Sequence, residues 1–506
     1  MNNVLRSKAW LWAAAALLLI LLGTLAYLFI PGQGHIPALP EPAYWPTDGW
    51  QKVPPEEQGF DSLQLAEGLQ AIQEKHLAIN SLLIVRNGYV VLDASFYPYD
   101  GSFPHDMASV AKSVTTTLIA IAAEQGKLQL DQPVLSFFRE RIIANLDERK
   151  KSLTVRHLVS MRNGMESGCF DGDEATLNAM RSSPDWVQAA LDRKMVHAPG
   201  TRFCYDSPGM HLLSAILQKV TGMTEFDFAR QVLFEPLGIQ DVVWDTDPQG
   251  YSHGWGDLHL LPADAAKLGY LWLHRGVWEG RQIVPASWVT DSVRAHSRLV
   301  GNEYGYGYGW WVSSVDFYAM GRQGQLIRVI PSLNAVVVIT GGGYDEGQAE
   351  TFLIKALLGS NKDMPENPAG VAKLDATLAA LEMGSAPRPM VPLPDTAQTV
   401  SGKNYLCETN PAGITRLRLD FAAPEAASLS MTQNGMEAVW PIGLDGKYRL
   451  SSQGQRQRGY WEDAHTFVLE IFDVGQLTRR LSFNGGKLEV AIPEVEMTLE
   501  CQVQNP

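Results

Sequence analysis

Ser109-Val110-Ala111-Lys112-Ser113-Val114-Thr115-Thr116-Thr117-Leu118-Ile119-Ala120-Ile121-Ala122-Ala123-Glu124 is the stretch on which the reading of this chain turns. Val110, Val114, Leu118, Ile119, Ile121 and Ala122 lie on all sides of a helix over 109–124. A helix apolar all round belongs in the middle of a domain, and Gly126 is placed to end it. Ser109 and Lys112, the single Ser-x-x-Lys of the chain, are three residues apart. A helix puts such a pair on one face, about 5–6 Å apart at Cβ. A lysine is costly in an apolar helix unless the site uses it. Burial favours its neutral amine, which can take the proton of the serine. A serine opening a helix also keeps its own backbone N–H unpaired, half of an oxyanion hole. The alternative is an N-cap serine with a snorkelling lysine.

Outward from this helix the pattern is layered. Asp61 to Lys75 reads as an amphipathic helix capped by Asp61 or Ser62. Ser81 to Val85 and Tyr89 to Phe96 are β-rich and joined through Asn87-Gly88, residues that accept the φ > 0 of a type I′ turn. Leu128 to about Trp311 mixes helical segments with Gly and Pro turns. Three more β-rich runs follow, Phe317 to Met320, Gln325 to Ile330 and Ala335 to Thr340, and then a helical stretch, Gln348 to Leu358. One antiparallel sheet of five strands, flanked by helices and interrupted by a mostly helical insert, accounts for this order: an α+β domain with its pocket at the seam of sheet and insert. Ser360 to Pro394 is a proline-rich connector around one short helical stretch, and Ser401 to Gln502 changes to short alternating segments separated by Gly turns, the signature of a small all-β barrel or sandwich.

Two further clusters carry chemistry. Tyr205-Asp206-Ser207 sits at a turn before a helical run from His211 to Val220. A tyrosine held near a lysine there can shuttle protons to a leaving group, and Ser207 offers a hydroxyl. Gly321-Arg322-Gln323-Gly324-Gln325 stands at a strand start. Gly324 allows close approach of backbone to a ligand, the Gln325 N–H is a candidate second oxyanion donor, and Arg322 is a fixed charge for an anion. Read alone, the first is a helix-capping turn and the second a Gly-rich hairpin.

Together, in this order, the three clusters resemble the serine β-lactamase and penicillin-binding-protein superfamily, with its Ser-x-x-Lys, Tyr/Ser-x-Asn and Lys-Thr-Gly-like elements. More narrowly the chain is similar to class C β-lactamase-related esterases, D-aminopeptidases and 6-aminohexanoate-dimer hydrolases. Leu153 to Ser160, Glu235-Pro236-Leu237-Gly238-Ile239 and Tyr306 to Trp311 read as landmarks of the same group. The resemblance covers about residues 50–360; the tail from about 400 resembles, less specifically, the lipocalin-like β domains appended to such hydrolases. It implies Ser109 as acylated nucleophile, Lys112 as its base, Tyr205 as second proton-transfer group, the N–H groups of Ser109 and Gln325 as oxyanion hole, and Ser207, Arg322 and Gly324 as substrate contacts. It implies no metal and no cofactor. Ser207 stands where class C β-lactamases carry Asn, and Arg322-Gln323-Gly324 where they carry Lys-Thr-Gly. Those departures point away from antibiotic hydrolysis, towards another small ester or amide, peptidoglycan-derived amides among the candidates. A sensing module that is acylated without turnover, and a true β-lactamase or D,D-peptidase, are the rival readings. His157 falls in a structural stretch and is expected to pack.

The remaining features bound the setting. The chain has 506 residues and a net charge of −14. Without a Lys/Arg cluster it is not expected to bind nucleic acid. Ala9 to Ile30 is apolar throughout, preceded by Arg6 and Lys8 and followed by Pro31-Gly32. That length suits a membrane span of ~30 Å with the N-terminus in the cytoplasm and the remainder periplasmic or otherwise extracytoplasmic; a cleaved signal peptide is the alternative. The expected organisation is a cytoplasmic tail 1–8, an anchor 9–30, a linker 31–55, a hydrolase domain 56–360, a linker 361–400 and a β domain 401–506. Of the four cysteines, Cys169 with Cys204 and Cys407 with Cys501 are the pairs that stay within one expected domain. Four unpaired, buried thiols are the other reading.

Overall fold

The computed structural model describes residues 36–168, 174–298, 304–345, 347–349, 351–352, 364–383, 392–433, 435–451, 455–472, 476–493 and 497–504. The apolar segment 9–30 and most of the helix expected over 348–358 lie outside them. Among the described residues no helix is long and apolar enough to cross a membrane.

The chain first forms the helix Ser62–Glu74, whose Asp61 cap accepts from the N–H groups of Leu63 and Gln64. The hairpin of β1 (Ile79–Arg86) and β2 (Tyr89–Ser95) follows. Asn87 and Gly88 take φ of 51° and 86° at its turn, the left-handed pair that a type I′ turn requires. The insert begins with β3 (His105–Asp106), which pairs with β5 (Leu258–Leu260), itself paired with β4 (Val242–Trp244). It also carries a small hairpin, β6 (Val277–Trp278) with β7 (Arg281–Gln282), and helices that include Ala111–Glu124, Ser207–Thr221 and Pro262–Leu273. The chain then returns to the main sheet through β8 (Ser297–Arg298), β9 (Gly305–Tyr306), β10 (Trp311–Val312), β11 (Phe317–Gly321), β12 (Gln325–Ile330) and β13 (Ala335–Gly341).

The sheet order is β2-β1-β13-β12-β11-β10-β9-β8. The five long strands are those read from the sequence; the expected five-stranded sheet is corrected to eight by three two-residue strands at one edge. Such short pieces carry no alternation long enough to recognise. Both faces are covered, so β13 is buried along its whole length. Val336 and Val338 pack with the insert helices. Val337 and Ile339 pack on the other face with Leu65, Leu69 and Ile72 of Ser62–Glu74 and with Leu374 and Leu381 of the helix Pro368–Met383.

That last helix corrects the linker expected over 361–400. Its Leu374, Thr377 and Leu381 are buried, so it completes the hydrolase layer, whereas Ala397 and Val400 belong to the core of the tail. Part of the linker expected over 31–55 is likewise packed. The Trp45 ring lies 5.1 Å from those of His274 and Trp278, and Trp50 Nε1 donates to Ala263 O. Pro and Gly in 36–55 keep regular structure to short pieces such as the 3-10 turn Pro46–Asp48 and leave the tryptophans between them free to dock.

The tail is a barrel. β14 (Asn404–Cys407), β15 (Ile414–Ala423), β16 (Ala426–Gln433), β17 (Met436–Gly443), the short β18 (Arg449–Leu450), β19 (Arg456–Trp461), β20 (Thr466–Phe472), β21 (Gln476–Asn484), β22 (Lys487–Ile492) and β23 (Met497–Val503) run antiparallel in the order β17-β16-β15-β14-β23-β22-β21-β20-β19-β18. A parallel Gly443–Arg458 pairing of β17 with β19 closes it, leaving nine wall strands and no long edge. Cys407 and Cys501 face each other across β14 and β23 and form a disulfide. Cys204 is not a free thiol, and its expected partner Cys169 lies outside the described residues. The barrel meets the hydrolase body through Arg456, which bonds Asp100 at 2.8 Å and covers the Phe103 ring.

Candidate active site

The Ser-x-x-Lys turn is built differently from a plain helix start. Ala108–Val110 is a single 3-10 turn that runs into the α-helix Ala111–Glu124. Ala108 before it has φ of 47°. A non-glycine residue in that region is strained and persists only where its surroundings fix it. The fixing contacts are visible. Asp106 Oδ1 accepts from the Ala108 N–H at 2.7 Å, and Gly321 at the end of β11 packs so closely that a Cβ there would sit 2.4 Å from Met107 O.

Lys112 is 1% exposed. Its Nζ lies 2.8 Å from Ser109 Oγ and 2.8 Å from the carbonyl of Trp255, and 4.8 Å from the centre of the Tyr205 ring. No carboxylate pairs with it among the described residues. Ser109, Lys112 and Tyr205, far apart in sequence, therefore meet at one point, with Ser109 and Tyr205 partly open to solvent. The Tyr205 ring stacks on Trp311, 5.9 Å away and 17° from parallel, and meets Tyr306 edge-on. Burial, with Tyr205 beside it, pushes the Tyr306 phenol well above its ordinary range, so that ring is a neutral wall.

The other expected residues divide. Arg322 is exposed and its guanidinium is 4.0 Å from Asp106 beside the nucleophile turn. Ser207 is the first residue of Ser207–Thr221 and is buried. The Gln325 side chain turns away from the cleft: it is 0% exposed, its Nε2 donates to Gly341 O, and its Oε1 accepts from the Gly341 N–H; the oxyanion donor expected at this residue is its backbone N–H. Gly324 lies against Tyr344, whose hydroxyl donates to its carbonyl; a Cβ there would stand 2.3 Å from the ring. Its glycine serves packing. His157 closes a capping box with Thr154, the packing role expected of it.

Several residues shaping the site carried no recognisable signal. Asp206 stands at the N-cap position of Ser207–Thr221 and makes no side-chain cap bond. It is fully buried and holds Arg193 with both oxygens, at 2.6 and 3.0 Å, and accepts from Asn163 at 2.7 Å. That network pins the turn carrying Tyr205. Gly309, with φ of 79°, lets the 305–311 loop touch the nucleophile helix: its carbonyl accepts from Ser113 Oγ, and a Cβ would meet Thr116 Oγ1 at 2.5 Å. Trp255 presents its carbonyl to Lys112 from a segment that packs on Glu225 through Gly254. Complete burial pushes the Glu225 carboxyl up to about 8. Among the described residues no group of His, Cys, Asp and Glu is arranged to hold a metal.

A serine bonded to a buried lysine, on a turn packed against strand β11 of an antiparallel sheet, defines the class as serine hydrolases of the acyl-enzyme type. Residues 69–355 match the family model described as Beta-lactamase, and the chain belongs to that family. It is 25% identical to penicillin-binding protein 4 of Amycolatopsis lactamdurans over 51% of this chain and 77% of that protein. It is also 25% identical to protein flp of Staphylococcus aureus, there over 33% of this chain and only 35% of that protein. Its fold is similar to that of a putative 6-aminohexanoate-dimer hydrolase from Bacillus anthracis, with a TM-score of 0.52, 20% identity, and cover of 61% of this chain and 87% of that one.

Proposed function

We propose that this chain is an exported, membrane-anchored hydrolase that cleaves a small ester or amide through an acyl-enzyme on Ser109. The observation that carries the reading is the 2.8 Å contact of Lys112 Nζ with Ser109 Oγ under the Tyr205 ring. Lys112 takes the serine proton as Oγ attacks the carbonyl carbon. The carbonyl oxygen gathers negative charge and is received by backbone N–H groups, one of them that of Ser109. We place the second donor at the N–H of Arg322, which follows Gly321, the residue that packs on Met107 beside the nucleophile turn, with the N–H of Gln325 as the alternative. Tyr205 passes a proton to the departing alcohol or amine. Water, deprotonated by the same groups, then cleaves the acyl-enzyme, releases the acid and returns the proton to Ser109.

Arg322-Gln323-Gly324 in place of Lys-Thr-Gly, and a Ser207 hydroxyl in place of an amide, favour simple esters and amides over β-lactams. The test is turnover of a p-nitrophenyl ester panel against a cephalosporin by wild type and Ser109→Ala. Multiple turnovers of esters, lost in Ser109→Ala with the fold intact, support the reading. A single burst without turnover assigns the sensor, and preference for the cephalosporin assigns the β-lactamase.

A further inference from the structure

The helix Ala111–Glu124 carries three threonines in a row, and they do not behave alike. Thr116 and Thr117 turn their hydroxyls back onto the Ser113 carbonyl of their own helix, at 3.1 and 2.6 Å, a common resort of a threonine inside a helix. Thr115, fully buried, instead donates across to Gly254 O at 2.8 Å. It stands one turn after Lys112, and the next carbonyl along, that of Trp255, is the one that accepts from Lys112 Nζ. The helix therefore grips two successive carbonyls of one segment, the first with a hydroxyl and the second with the amine of the base.

The segment is held from its other side too. The Gly256 N–H closes a turn onto His253 O at 3.0 Å, and Trp244 Nε1 of β4 donates to His253 O and Gly256 O at 2.9 and 3.1 Å. All four carbonyls of residues 253–256 thus face a side-chain donor, and of these donors only Lys112 is long and flexible. Gly254 lies so deep that a Cβ there would stand 2.7 Å from Met210 O and 3.1 Å from Ser214 Cβ. A carbonyl so buried needs its donor, so without Thr115 the segment would shift to find one. That shift would reach the chemistry. A neutral amine has two N–H bonds and one lone pair; with one N–H committed to Trp255 O, the lone pair can face the Ser109 hydroxyl, 2.8 Å away. Once Nζ has taken the proton, the same carbonyl makes a charge-assisted bond to it.

We propose that Thr115 is a positioning residue for the base: its bond to Gly254 O sets where Trp255 O stands, and so how Lys112 Nζ meets Ser109. The inference rests on the hydrolase reading of Ser109 and Lys112. Thr115, being fully buried, acts only through the lysine.

The test is the rate of Ser109 labelling by a fluorophosphonate, followed on the full chain by intact mass over a range of probe concentrations. In Thr115→Val, which keeps the shape and loses the hydroxyl, the maximal rate is expected to fall about ten- to a hundredfold, with the half-saturating concentration unchanged. Thr115→Ser, which keeps the hydroxyl, recovers most of that loss. In the Lys112→Met background Thr115→Val costs nothing further, because the two residues act as one unit. Trp244→Phe, which frees the turn from its other side, slows labelling in the same way; should Thr115→Val not fold, it carries the test, and wild-type labelling in it overturns the inference. Near-ultraviolet circular dichroism and a thermal transition above the assay temperature show which variants are folded. A folded Thr115→Val labelled at the wild-type rate overturns the inference and leaves the hydrolase reading standing. A fall of equal size in the Lys112→Met background overturns it as well, since the hydroxyl would then act on the helix and not through the base. A wild type that takes no adduct on Ser109 overturns the hydrolase reading, and this inference with it.

Discussion

Replacing Glu225 by Gln is expected to flatten the dependence of stability on pH. The carboxyl is wholly buried beside Thr115, Ser214 and Gly254, and that burial raises it from an ordinary 4.5 to about 8. In the unfolded chain it ionises near 4.5, so between the two values the unfolded state loses a proton that the folded state keeps. The contribution of the neutral carboxyl is therefore fully present below pH 4.5, declines as pH rises, and is gone above about pH 8. At about 1.4 kcal/mol for each pH unit, the whole interval amounts to about 5 kcal/mol, comparable with the net stability of a typical domain. The assay is urea denaturation of the hydrolase transition, followed by near-ultraviolet circular dichroism, at pH 5, 6.5 and 8. Wild type should lose on the order of 4 kcal/mol across that range from this group alone. Glu225→Gln, which keeps the shape and cannot ionise, should show a slope shallower by one proton. Parallel slopes for the two proteins would refute the reasoning, since the carboxyl would then ionise alike in both states.

Three further outcomes follow from the site. Asp206→Ala leaves the Arg193 guanidinium, 9% exposed, without its carboxylate counter-charge; a loss of about 3–5 kcal/mol in urea denaturation is expected, and the double variant Arg193→Met/Asp206→Ala should lose less than the two singles together. Gly309→Ala puts a methyl 2.5 Å from Thr116 Oγ1 at a φ of 79°; a cost of about 1–3 kcal/mol is expected, with kcat lowered because the loop also holds Ser113 beside the nucleophile. Lys112→Met keeps the length of the side chain and removes the base, so kcat/KM for a p-nitrophenyl ester should fall by ~10²–10⁴ with the thermal transition retained; an unchanged kcat/KM would remove Lys112 from the chemistry.

The parts legible in the sequence are those with a local cause. Asn87-Gly88 announces its hairpin because few other residues accept two positive φ values in a row. The apolar helix Ala111–Glu124 announces a core, and Ser109, Lys112 and Tyr205 announce a site once all three are seen in order. The alternation of Arg416 to Phe421 and Thr466 to Ile471 announces a barrel wall. What stayed hidden was set by tertiary contact. The Gln325 side chain was not legible as buried, because sequence does not show its carboxamide bonded twice to Gly341 on the neighbouring strand. Gly324 looked like a ligand-facing glycine, because nothing local places Tyr344 over it. Asp206 read as a cap because Arg193 and Asn163 reach it from 13 and 43 residues away. The helical stretch within the proline-rich connector was legible, but the docking of Pro368–Met383 was not, its stabilisation coming from the far face of the sheet.

The central claim is that Ser109 is an activated nucleophile in a formed site. Intact-mass analysis of residues 35–506 after a fluorophosphonate, with peptide mapping, tests it most directly. One adduct on Ser109, formed at least a hundredfold more slowly in Lys112→Met, is the predicted result. A folded protein that takes no adduct, or takes it on another residue, contradicts the account.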